Sequence, residues 1–172
     1  KFYREVNSNI ELYIYSKSSK RLTNLKKKIK FFNFDIKKFK FYSSAEINFN
    51  SLLEKNIFDL SIVCVPDHLH FLYLKKLLLK NVNTLVVKPF VLKLNQAKYL
   101  AELEKKNNLI CRVEHHKRYD PSNFYLKQQI KNKKFGKINH ILVQYSQSKE
   151  FSKVIFKSWF NKTNIINYLG IH

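Results

Sequence analysis

The sequence predicts an α/β fold, a doubly wound parallel sheet followed by the start of an α+β domain with an antiparallel sheet. Three observations carry that prediction. Strand-like and helix-like segments alternate five times before residue 114, as parallel strands joined by crossover helices do. The stretches 59–70, 84–90 and 113–121 each begin as an apolar, β-branched run without alternation and end in polar residues or proline. Such runs read as strands buried on both faces, the habit of parallel sheets. After Gly136, residues 138–147 alternate apolar and polar, as an antiparallel strand with one wet face does. The domain boundary falls near 119–121, giving domains 1–120 and 121–172.

Each element has its own signal. Residues 10–15 alternate and then turn apolar, so they form a strand, and 16–21 follow as a polar turn. Leu22, Leu25, Ile29 and Phe32 are spaced for one face of a helix, with lysines on the other. A short strand follows over 38–42, then a helix over 45–56 with Leu52 and Leu53 inward. Residues 57–65 form the central strand. Asp67 is placed to cap a helix over 68–80 whose Leu72, Leu74, Leu77 and Leu78 make a broad apolar face. A strand over 84–87 leads to a helix capped by Asn95 and running to about Lys106, with Ala97, Leu100, Ala101 and Leu103 inward. A strand over 109–113 precedes Asp120-Pro121, a cap and first-turn proline for a helix ending near Gly136.

The totals narrow the function classes. At 172 residues and 45% hydrophobic, the chain can build a core, so wholesale disorder is excluded. It has no apolar run of membrane-spanning length and no signal-peptide pattern at its start, which fits a cytoplasmic protein without a membrane partner. Cys64 and Cys111 each fall within an expected strand, as buried reduced thiols do, rather than in a disulfide framework or metal site. The 33 basic against 12 acidic residues, net +21, would suit a nucleic-acid partner. Yet the lysines are scattered over every segment. Lys, Asn, Ile, Phe and Tyr abound together, as A/T-rich codons would make them, so solvated surface is the favoured reading. The chain has no methionine and stops at Ile171-His172 without a cap or tail, the look of a piece of a longer protein.

Ligands of open parallel sheets bind outside the carboxyl ends of the strands. Pro66-Asp67-His68, Lys88-Pro89 and Glu114-His115-His116 should therefore crowd one rim. With those residues placed, the chain resembles the glucose–fructose oxidoreductase, inositol dehydrogenase and MocA-type family of NAD(P)-dependent oxidoreductases. The resemblance is carried by DLSIVCVPDHLH at 59–70, TLVVKPF at 84–90, VEHHKRYDP at 113–121 and NYLGIH at 167–172. It implies a nucleotide-binding domain of Rossmann type, then an α+β domain. It also implies hydride transfer between a nicotinamide and a sugar or polyol hydroxyl carbon, and a homo-oligomer when complete. In that reading Lys88 is the active-site lysine, stabilising developing alkoxide and relaying its proton once burial has lowered its pKa. Pro89 aims it into the cleft, a task that a cis bond would serve. His172 falls on the catalytic histidine, and Tyr168 on the usual aspartate position, where it can still hydrogen-bond a sugar hydroxyl. Val65, Pro66, Asp67 and His70 would line the cofactor, His70 reading equally as a plain helix-start residue. Glu114 and His116 would stand on the nicotinamide side, and Arg118 would form an ion pair between domains.

Two departures qualify the resemblance. Val87 stands where the family has glutamate before its lysine. The only glycines are Gly136 and Gly170, so the glycine-rich phosphate loop and first strand are missing, and a dinucleotide should bind this stretch poorly. Ser16 ends the second strand of the implied fold, where an acidic residue would hold a ribose diol. With Lys17, Lys20 and Arg21 near it, the cofactor leans to NADP over NAD. Two other classes stay open. One is an inactive truncated fragment. The other is a basic nucleic-acid-binding module, with lysines interleaving Phe31, Phe32, Phe34, Phe39 and Phe41 as stacking platforms, against which these phenylalanines read as core.

Overall fold

The computed structural model describes residues 10–144, 146, 148, 150, 153–154, 157–164 and 166–167. They fall into two compact units, Lys1–Ile57 and Phe58–His172. In the first, strands β1 (Leu12–Ser16) and β2 (Phe39–Ser43) pair in parallel, from Leu12 against Phe39 to Ser16 against Ser43. Helix α1 (Ser19–Phe31) connects them and buries Leu22 and Ile29. It starts inside the stretch read as a polar turn, because the Ser18 hydroxyl accepts the Arg21 N–H. It stops before Phe32, which is 64% exposed and so leaves the expected apolar face. Asn33 takes the next step at φ 56°, a left-handed turn that asparagine tolerates. Helix α2 (Phe49–Lys55) buries Leu52 and Leu53 as expected. It begins later than expected because Asn48 caps it, accepting from the Asn50 N–H at 2.8 Å.

The second unit holds a parallel sheet of order β3 (Leu60–Val63), β4 (Asn83–Val87) and β5 (Cys111–Glu114). Helices α3 (His70–Leu79) and α4 (Leu94–Lys106) make the two crossovers and pack on each other. Leu74, Leu77 and Leu78 of α3, Val86 of β4 and Leu100 of α4 are buried, and α3 packs on β3 and β4. Leu60 and Ile62 on β3 are nonetheless 56% and 60% exposed. The reading of β3 as buried on both faces is corrected within this unit. Leu72 and Ala101 also prove exposed, since each lies on the flank of its helix and not on the contact stripe. Asn95 does not cap α4. The helix starts one residue earlier, and the Asn95 side chain accepts from the Gln96 N–H instead.

Helix α5 (Pro121–Lys131) begins at the predicted Asp120-Pro121 with proline in its first turn. The Asp120 carboxylate takes Lys117 Nζ at 2.9 Å and leaves the helix end uncapped. The helix ends before Gly136, through turns with Lys133 and Gly136 at positive φ. The strand expected over 138–147 does not form among the described residues, where every paired strand is parallel. Alternation marks a strand only when a neighbour completes its hydrogen bonds. Here 138–141 lie instead beside Leu126, Ile130 and Phe135. A short 3-10 helix, Lys157–Lys162, carries the tryptophan, Trp159.

Candidate active site

The order β3-β4-β5 brings three strand ends together at one rim, as expected for Pro66-Asp67, Lys88-Pro89 and Glu114. The register sets Val63 against Val86 and Val87 against Glu114. Glu114 is therefore the cross-strand neighbour of the residue before Lys88. Lys88 leaves the end of β4 half-buried, and its peptide bond to the buried Pro89 is cis. Burial holds the Lys88 amine below the usual lysine value, against the pull of the Asp67 and Glu114 charges. A lysine of this kind gives up a proton more readily than one on the open surface.

Asp67 is 5% exposed and does not cap the helix that follows. The chain turns there as a 3-10 segment, Asp67–Leu69, in which the Leu69 N–H reaches Pro66 O at 2.8 Å. The Asp67 carboxylate instead accepts the Thr163 hydroxyl at 2.6 Å, from 96 residues away. Nothing in local sequence signals Thr163. His70, the first residue of α3, is fully buried. Its Nδ1 lies 2.6 Å from Pro89 O and its Nε2 2.9 Å from Val65 O, so its ring sits behind the rim rather than on it.

At the third strand end, Glu114 Oε2 is 3.4 Å from His116 Nδ1, an ion pair when the ring is protonated. The buried Nδ1 atoms of His68 and His115 have no hydrogen-bond partner among the described residues. Burial and the Lys162 charge push His68 below the ordinary histidine value. Cys64 lies past the end of β3 and is exposed, unlike the buried Cys111, which corrects its placing as a core thiol. Arg118 is exposed and forms no ion pair among the described residues. In its turn the pair is Lys117 with Asp120.

Ser16 and Arg21 belong to the first unit. Ser16 ends β1, and its hydroxyl accepts from the Ser18 N–H at 3.2 Å. Lys17, Lys20 and Arg21 around it are exposed. Tyr168 and His172 lie outside the described residues.

Residues 12–115 match the model of an oxidoreductase family with an NAD-binding Rossmann fold, Gfo/Idh/MocA. No curated protein matches in sequence. Among solved structures, a probable oxidoreductase, yhhX, is 27% identical over 74% of this chain and 33% of its own, with TM-score 0.60. The putative oxidoreductase yvaA of Bacillus subtilis is 16% identical, over 96% of this chain and 42% of its own, with TM-score 0.73. The myo-inositol 2-dehydrogenase of Lactobacillus plantarum is 21% identical, over 78% of this chain and 38% of its own, with TM-score 0.61. The chain spans less than half the length of each of these proteins.

Proposed function

The chain belongs to the Gfo/Idh/MocA oxidoreductase family with its NAD-binding Rossmann fold, and from that premise we propose that it handles the proton in hydride transfer to or from a sugar or polyol. The observation that carries this is Lys88. Its amine is half-buried at the strand-end rim, lowered by burial, and acted on by the charges of Asp67 and Glu114. In oxidation the neutral amine takes the hydroxyl proton, and the ammonium so formed stabilises the alkoxide oxygen from whose carbon the hydride leaves; in reduction the ammonium returns the proton to that oxygen. A bound nicotinamide would supply the hydride acceptor. Tyr168 and His172 are proposed as the partners that share the proton with Lys88.

The cofactor-side residues are proposed as Val65, Pro66, Asp67, Lys88, Pro89, Glu114 and His116, with His70 acting through the loops it holds. In the first unit, Ser16 supplies no carboxylate for a ribose diol, and the exposed Lys17, Lys20 and Arg21 favour a 2′-phosphate. NADP is therefore the proposed cofactor over NAD. The complete protein is proposed to be a cytoplasmic homo-oligomer. The test is Lys88→Ala in the complete protein, with NADP and a panel of sugars and polyols. Turnover should fall sharply while NADP binding persists, and unchanged turnover would sink the assignment.

A second reading draws on one observation. Phe31, Phe32 and Phe34 are 79%, 64% and 43% exposed among exposed lysines, so they are not core residues as the plainer account holds. Exposed rings beside cations can stack on single-stranded bases. Oligonucleotide binding that survives physiological salt would favour this reading, and binding lost there would dismiss it.

A further inference from the structure

We propose that His70 is a positioning residue for Lys88: its imidazole clamps the backbone after Lys88 to the backbone before Pro66, and so fixes where the lysine amine stands. The inference rests on Lys88 being the proton-handling group and adds how the fold holds it there.

The geometry is specific. The ladder of β3 ends at Val63 and that of β4 at Val87, so Val65 and Pro89 lie beyond the sheet's own hydrogen bonds. One side chain reaches both of them. His70 Nδ1 meets Pro89 O at 2.6 Å and Nε2 meets Val65 O at 2.9 Å. A carbonyl oxygen only accepts, so each contact is a hydrogen bond when that ring nitrogen carries a proton. A neutral ring donates to one carbonyl and an imidazolium to both. The ring is fully buried, so water cannot take over either contact. It rides on α3, whose Leu74, Leu77 and Leu78 are locked in the core.

The two clamped carbonyls flank the chemistry. Pro89 directly follows Lys88. Val65 directly precedes Pro66 and Asp67, and Asp67 is one of the two carboxylates acting on the Lys88 amine. His70 thus sets the lysine and one of its counter-charges at once. A ring that merely filled space would leave both untouched when replaced by another ring of similar size.

The test is competitive acylation of the full chain with acetic anhydride over a pH series, quantified lysine by lysine by mass spectrometry. It reads the protonation of each amine without turnover, and the exposed lysines serve as internal reference. In the unsubstituted chain Lys88 should titrate below the exposed lysines. In His70→Phe, which keeps ring volume and removes every ring N–H, its curve should move up towards theirs. Leu74→Ala, a cavity on the same helix, should leave the Lys88 curve in place while lowering stability. An unmoved Lys88 curve in folded His70→Phe overturns the proposal. So does an equal movement in Leu74→Ala, or a Lys88 that titrates like an exposed lysine from the outset. If His70→Phe fails to fold, His70→Leu, which likewise has no donor, is read in the same way. A curve moved up then supports the clamp, and an unmoved one refutes it. The oxidoreductase reading stands or falls separately, on turnover of Lys88→Ala.

Discussion

Replacing Thr163 with Val should free the 157–164 segment from the strand-end rim. The hydroxyl it removes donates to the Asp67 carboxylate at 2.6 Å, and Asp67 is 5% exposed. A hydrogen bond to a charged group contributes about 1.5–3 kcal/mol, and a buried acceptor left unpaired loses that with little help from water. Lys88 still acts on Asp67 with an opposite charge, so the lower end, about 1.5–2 kcal/mol, is expected. That is a factor of roughly 10–30 in the local opening equilibrium. Trp159, half-buried four residues earlier, is the natural reporter. In urea, Trp159 emission in Thr163→Val should shift before the main transition, and amides of 157–164 should exchange faster with deuterium. Thr163→Ser, which keeps the hydroxyl, should behave as the unsubstituted chain. If Thr163→Val shows a coincident transition and unchanged exchange, the Thr163–Asp67 bond does not anchor the segment.

Other outcomes follow from the same geometry. Lys88→Met should raise thermal stability while removing turnover, because burial makes the folded protein bind the Lys88 proton less well than the unfolded chain. The sign follows from proton linkage: the penalty is complete below the lowered folded pKa and fades as pH rises towards the unfolded lysine value of 10.5. The gain from Lys88→Met, read in melting curves, should therefore shrink as pH rises through that window. Leu100→Ala, at a position with no exposure, should cost about 2–5 kcal/mol in urea unfolding. Glu104→Ala should cost more than Arg112→Ala in the same assay. Glu104 Oε1 accepts both Arg112 Nη1 at 2.6 Å and the Cys111 N–H at 3.0 Å, whereas the largely exposed Arg112 side chain forfeits a surface pair worth about 0–1 kcal/mol and a bond to Cys111 O at 3.1 Å, an acceptor that is left with no buried charge.

Much of the candidate site was legible because its parts lie within single strand-to-helix turns. Pro66-Asp67, Lys88-Pro89 and Glu114 each follow an apolar run, and parallel pairing of consecutive runs gathers their ends without further information. The roles within the site were less legible. Asp67 has the right type and place for a cap, but its partner is Thr163, 96 residues on. His70 looked like a cofactor contact or an ordinary helix start. Its two carbonyl partners are main-chain atoms, which any residue could supply and no motif records.

The sequence by itself determined the α/β class, the five strands and five helices among the described residues 10–131 to within a few residues, and Leu52, Leu53, Leu74, Leu77, Leu78, Leu100 and Leu103 as buried. These follow from periodicity and local chemistry, which act over a turn or two of chain. Only the tertiary structure decided which faces are covered. Leu72, Ala101, Leu60 and Ile62 carry core-like signals, yet no neighbour within their unit's helix and sheet contacts buries them. Phe31, Phe32 and Phe34 likewise stay exposed. Residues 138–144, read as part of an alternating strand, form no ladder among the described residues, since backbone hydrogen bonding needs a second strand that a pattern along one segment cannot specify. Burial and ladder pairing belong to pairs of elements, and a pattern read along one element is silent about its partner.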